Sequence, residues 1–190
     1  INNLAKEYDK FKLFYSGDTT LEEEIDLLSK LPLLFQPGKK WHYSVSTDIL
    51  GRIIEIAYKK SLRKALQELI FIPVGMTDTD FGISKDNINR LVESYEYDAN
   101  EKKLTEIKYG NQKISNYSYP TDKHLTYARG GHGLFSSFED YFLFADMLLT
   151  GKTQNGKKIL SNSSLNNMVK NHIDKNLLPL EIKTFGNNLN

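Results

Sequence analysis

Two patterns in this chain carry the ingredients of nucleophilic chemistry. Ser61-Leu62-Arg63-Lys64 sets a hydroxyl and an amine one helical turn apart, a spacing at which a lysine of lowered pKa can activate a serine. The same Ser61 follows Lys59-Lys60 where a helix needs an N-cap, and Lys64 then points along a solvated face, so capping is the favoured reading. Tyr43 ends the constrained lead Pro37-Gly38-Lys39-Lys40-Trp41-His42, just ahead of a helix, where its hydroxyl can project into a cleft. The competing reading is a boundary tyrosine with its ring in the core and its oxygen wet. Gly130, Gly131 and Gly133 surround His132 in a tight turn ahead of another helix. A phosphate cradle has such glycines, but this turn lacks the Gly-Lys-Ser/Thr ending and the spacing of a dinucleotide fingerprint. Backbone tightness is the reason assigned to them.

Composition narrows the classes. Lys plus Arg number 25 against 24 Asp plus Glu, a net charge of +1, so the basic stripe of a nucleic-acid binder is not expected. A hydrophobic content of 39% with 12% aromatics is too rich for a disordered chain and suffices for a real core. No apolar run approaches the roughly 18 residues of a membrane-spanning helix. Absence of cysteine excludes disulfides and thiolate catalysis. His42, His124, His132 and His172 lack ligand spacing, so no metal is expected, and His124 and His172 read as ordinary solvated histidines. Ile1 opens a polar stretch without the apolar region of a signal peptide, and both ends look cut from a longer protein.

The elements that must position these residues are mostly helical. Thr20 with Glu23 forms a capping-box pattern, and Leu21, Ile25 and Leu28 predict a helix over 21–31, stopped by Pro32. The run Glu22-Glu23-Glu24 suits the positive end of that helix. Pro37-Gly38 predicts a turn. A helix over 46–58 would be capped by Ser46 or Thr47 and carry Ile49, Leu50, Ile53, Ile54 and Ala57 on its apolar face. A second helix starts at Ser61, with Leu62, Ala65, Leu66, Leu69 and Ile70 inward and Pro73 and Gly75 ending it. Alternation from Leu91 to Tyr109 around Asn100-Glu101-Lys102 predicts a β-hairpin, and 110–127 reads as a long loop. Ser137 caps a helix whose apolar side is Tyr141, Phe142, Phe144, Ala145, Leu148 and Leu149, closed by Gly151. A turn at Asn155-Gly156 and a helix from about Ser163 to Lys170 complete the pattern.

Four stretches taken together resemble the serine β-lactamase-like superfamily, the branch of class C β-lactamases, penicillin-binding proteins, DD-peptidases, D-aminopeptidases and family VIII carboxylesterases. They are Leu31–Gly51 with its Gln-Pro-Gly-Lys-Lys-Trp-His-Tyr-Ser core, Ile70–Phe81, Gly130–Tyr141, and Met147–Gly151 with Asn155–Ser161. Their order and spacing cover about residues 20–170. The fold implied is α+β and predominantly α-helical: the helical portion of the β-lactamase/transpeptidase-like fold with a small hairpin, as a single partial domain over 1–190, most of the large antiparallel sheet missing.

The resemblance also implies roles. Tyr43 matches the catalytic tyrosine, which exchanges a proton with the serine and the leaving group. The third position of that element is Val45 rather than asparagine, closer to the esterase-like members than to class C β-lactamases. His132 falls in the turn that lines the substrate cleft. The family's Ser-x-x-Lys is expected upstream of Ile1 and its Lys-Thr-Gly or His-x-Gly strand beyond Asn190. Lys183-Thr184-Phe185-Gly186, with Phe inserted, is taken as chance. The expected function is part of a serine hydrolase acting through an acyl-enzyme on an amide or ester, with a small molecule or peptide as substrate. This chain alone would then be inactive, and no cofactor is implied. The alternative is a non-catalytic binding or structural module that keeps the fold. Location and oligomeric state are not legible in the sequence.

Overall fold

The computed structural model describes residues 19–107 and 128–178. Thr20 caps α1 (Leu21–Leu28) through reciprocal bonds: Glu23 N–H donates to Thr20 Oγ1 at 3.2 Å, and Thr20 N–H donates to Glu23 Oε2 at 2.8 Å. Donation from the Thr20 backbone, then from its hydroxyl, holds the Glu23 carboxyl below its ordinary pKa. The other two acids of the run turn elsewhere, Glu22 to Arg52 and Glu24 to Arg129, so tertiary pairing uses what the helix dipole alone would explain.

α2 (Ser46–Tyr58) begins after Val45, which occupies the N-cap with no side-chain bond. Neither Ser46 nor Thr47 caps it. Ser44 does part of that work from outside, its Oγ accepting the Ser46 N–H at 3.3 Å. α3 (Leu62–Leu66) is capped by Ser61, whose Oγ accepts the Lys64 N–H at 3.3 Å. It runs on through a π-helical turn, Gln67–Phe71, into the short α4 (Ile72–Val74). Pro73 therefore sits inside the last turn rather than stopping it. The wide turn just before it relieves the clash a proline ring makes with the carbonyl four residues back. Gly75 ends the run at φ 91°, where a side chain would be strained.

After a 3₁₀ segment (Lys85–Arg90) come β1 (Ser94–Asp98) and β2 (Lys103–Ile107), an antiparallel pair in the register Tyr95↔Glu106 and Asp98↔Lys103. The hairpin matches the alternation, with shorter strands. Tyr109, the 110–127 stretch with His124, and Lys183-Thr184-Phe185-Gly186 lie outside the described residues. α5 (Phe138–Thr150) is capped by Ser137 and closed by Gly151 at φ 75°. α6 (Asn162–Met168) follows Ser161, one residue earlier than its pattern suggests, and a 3₁₀ turn (Lys175–Leu177) comes last.

Two small cores share Leu66. One joins Leu21, Leu62, Phe81 and Ala128; the other joins Phe71, Val74, Met76 and Met147. α1 packs on α2, α2 on α3, and α4 on α5. The inward side of α2 is a surprise. Its buried residues are Asp48 and Gly51, whereas Ile49, Leu50, Ile53, Ile54 and Ala57, the expected core face, are exposed. On α5 the expected face is split: Phe144 and Leu148 pack against the second core beside buried Met147, while Tyr141, Phe142, Ala145 and Leu149 face outward. Leu69 of the turn after α3 is exposed as well. Periodicity finds an apolar stripe; it does not say which neighbour the stripe meets.

Candidate active site

The Tyr43 lead is built by a turn and two braces. Lys39 N–H donates to the Gln36 carbonyl at 3.2 Å, with Gly38 at φ 76° beside Pro37, so this corner needs a residue without a side chain. The Phe35 and His42 rings sit 6.0 Å apart, and His42 Nδ1 lies 2.7 Å from the Tyr43 carbonyl oxygen. Backbone is fixed while the tyrosine side chain is not buried: Tyr43 is 65% exposed. Its ring therefore lies outside the two cores of the described residues.

The His132 turn is clamped to the same end of α2. Gly130 lies against the first turn of that helix, where an added Cβ would stand 1.9 Å from the Thr47 carbonyl oxygen. The Gly131 N–H donates to Asp48 Oδ1 at 3.2 Å, and Asp48 is buried. Just before them, Arg129 Nη2 meets Glu24 Oε1 of α1 at 2.8 Å. Thr19 adds a hydroxyl donation to the same Glu24 oxygen at 2.7 Å. Three consecutive residues thus dock onto two helices, and His132 follows, half-buried. Burial holds its imidazole below the ordinary pKa of 6.5; Asp48 opposes that shift, Arg129 adds to it, and Glu24 opposes it. At neutral pH the ring is uncharged, able to donate from one nitrogen and accept at the other.

Downstream, the turn is pinned a second time. Phe135 and Asp80 form an antiparallel bridge, with N–H to carbonyl distances of 2.8 and 3.1 Å. Buried Asp140 of α5 accepts from the Asp78 N–H and the Thr79 hydroxyl, both at 2.7 Å. Asp80 in turn takes a two-pronged contact from Arg63, at 2.7 and 2.5 Å. A groove of about 930 Å³ opens beside these pairs, walled by Phe71, Ile72, Met76, Leu134 and Phe135; neither Tyr43 nor His132 lines it.

Ser61 serves as a helix cap, its oxygen accepting the Lys64 N–H, and the Lys64 amine pairs with Glu68 at 3.6 Å. Among the described residues no group of His, Asp and Glu is disposed to hold a metal ion. Reasoning from the sequence missed Asp48, Glu24, Arg129 and Asp140. None had a local signature, since their partners lie so distant in the chain.

The chain belongs to the Beta-lactamase family, whose model matches residues 3–178. It is 32% identical over 138 residues to an uncharacterized protein of Mycobacterium tuberculosis, covering 73% of this chain and 32% of that protein. It is 29% identical over 144 residues to a lovastatin esterase of Penicillium rubens, covering 75% of this chain and 33% of the esterase. The simvastatin synthase of Aspergillus terreus has the same fold over 83% of this chain and 36% of that enzyme, at a TM-score of 0.63 and 21% identity. The chain thus spans about a third of the length of the curated relatives it matches.

Proposed function

We propose that this chain is part of a serine hydrolase acting through an acyl-enzyme on an amide or ester, with Tyr43 as the proton-transferring group on its side of the cleft. In this reading Tyr43 relays a proton: its oxygen takes the proton of the attacking serine as its own proton passes to the leaving group. The reading takes the nucleophile from outside this chain, in keeping with Ser61 acting as a helix cap. The observation that carries the proposal is the pairing of an exposed Tyr43 on a braced backbone with a half-buried His132 at the same end of α2. His132 serves as cleft wall, presenting an uncharged ring to a neutral substrate. The esterase relative and Val45 two residues beyond the tyrosine favour an ester over a β-lactam. The outward apolar face of α2 fits packing against the rest of such a protein.

The test is Tyr43→Phe in the full-length protein, assayed with an activated p-nitrophenyl ester and a labelled penicillin. Loss of general acid–base help predicts a fall in kcat of about 10²- to 10⁴-fold with KM little changed. Activity that survives largely intact sinks the catalytic assignment and leaves the reading of a non-catalytic module.

A further inference from the structure

We propose that Asp48 is a positioning residue, whose ionised carboxylate holds the His132 turn onto the helix that Tyr43 leads into. This rests on the reading of Tyr43 as the proton-transferring group and adds to it a residue through which the two sides of the cleft keep their spacing.

The placement of this acid is costly. Asp48 is 3% exposed, on a helix whose apolar residues face outward. A carboxylate is taken out of water only where donors and charge compensate it. Two sources are present. Asp48 lies in the first turn of α2, where the helix dipole favours negative charge, and it accepts the Gly131 N–H at 3.2 Å. The glycine turn is shaped for that carboxylate: a Cβ at Gly131 would stand 3.0 Å from Asp48 Oδ2 and 2.9 Å from Thr47 Oγ1. Tyr43 is five residues before Asp48 and His132 one residue after Gly131, so one hydrogen bond ties the two segments together across 83 positions of sequence.

The charge has a second consequence. The ionised groups that act on His132 are Asp48 and Glu24, which favour its protonated form, and Arg129, which opposes it. Of these charges Asp48 acts most strongly on the ring. Removing it takes away the largest opposition to burial, so the imidazole stays neutral to lower pH.

The experiment compares wild-type, Asp48→Asn, Asp48→Glu and Tyr43→Phe in the full-length protein. It reads kcat and KM for a p-nitrophenyl ester across pH, and the imidazole titration of His132 by NMR, assigned with His132→Gln. Asp48→Asn is expected to lower kcat roughly 10- to 100-fold with KM nearly unchanged, the size of a small misplacement of reacting groups. It should also move the His132 titration to lower pH, and Asp48→Glu should return that titration towards wild type. A purely structural Asp48 would not separate the two variants by charge. Asp48→Asn matching wild type in both kcat and titration overturns the proposal. An active Tyr43→Phe overturns the underlying reading instead, and the His132 titration then decides the tether by itself. Should Asp48→Asn fail to fold, the Gly131 amide proton in wild type decides the matter: a shift tracking carboxylate ionisation supports the tether, and a flat profile through the acid range overturns it.

Discussion

Arg129 Nη2 lies 2.8 Å from Glu24 Oε1, and neither side chain reaches solvent. The pair joins the helix nearest the start of the described chain to a turn more than a hundred residues later. Removing one partner takes away the opposite charge that the other meets in the interior. Glu24→Gln is therefore expected to destabilise the folded protein by about 3–5 kcal/mol, read as a lower midpoint in urea unfolding. A midpoint equal to wild type would mean that the pair is hydrated in solution.

Gly130 offers a sharper geometric test. Its Cβ would sit 1.9 Å from the Thr47 carbonyl, a contact with backbone that no rotamer relieves. Gly130→Ala must push the turn off α2, at a cost of roughly 1–3 kcal/mol. Gly131→Ala meets movable side-chain atoms of Thr47 and Asp48 at 2.9 and 3.0 Å and should be milder. Thermal melts of the two variants give the order.

Ser61 separates capping from catalysis. Ser61→Ala is expected to cost about 1 kcal/mol of stability through loss of the cap and to leave ester hydrolysis at the wild-type rate. Lys64→Met should leave that rate unchanged too. A dead Ser61→Ala that melts like wild type would place the nucleophile in this chain.

Asp140 takes two bonds at 2.7 Å from the Asp78 backbone and the Thr79 hydroxyl. Asp140→Ala leaves the Asp78 N–H without its acceptor and the Thr79 hydroxyl with Ser136 alone, at about 1–3 kcal/mol. Because Thr79 adjoins the Asp80–Phe135 bridge, hydrogen exchange at the Phe135 amide should quicken in the variant.

Glu68 supplies a pH dependence. Lys60 Nζ at 2.6 Å and the Tyr58 hydroxyl at 2.7 Å lower its carboxyl from 4.5 to about 2, with Lys64 assisting. A folded pKa depressed below the unfolded one contributes stability that is fully present above pH 4.5 and is lost as pH falls towards 2. Glu68→Gln should flatten the unfolding midpoint over that window; a slope equal to wild type would assign the acid sensitivity elsewhere.

Local chemistry was written in the sequence. The Thr20–Glu23 box, the Ser61 and Ser137 caps, the Pro37-Gly38 turn and the hairpin are all decided within a few residues, so their patterns announce them. The helical character and the family resemblance were legible for the same reason, as short motifs at fixed spacing. What only the tertiary structure decided is which side of each helix faces in. In α2 the apolar stripe lies outward and Asp48 with Gly51 lies inward. Close approach of the Gly130 backbone, and of Leu21 and Leu62 against Gly51, requires the small or polar face there. Glu24, Arg129 and Asp140 likewise read as surface charges until their partners, tens of residues away, are brought within hydrogen-bond distance. A sequence pattern reports how much apolar surface an element has; the pairing of buried charges is set by three-dimensional approach alone.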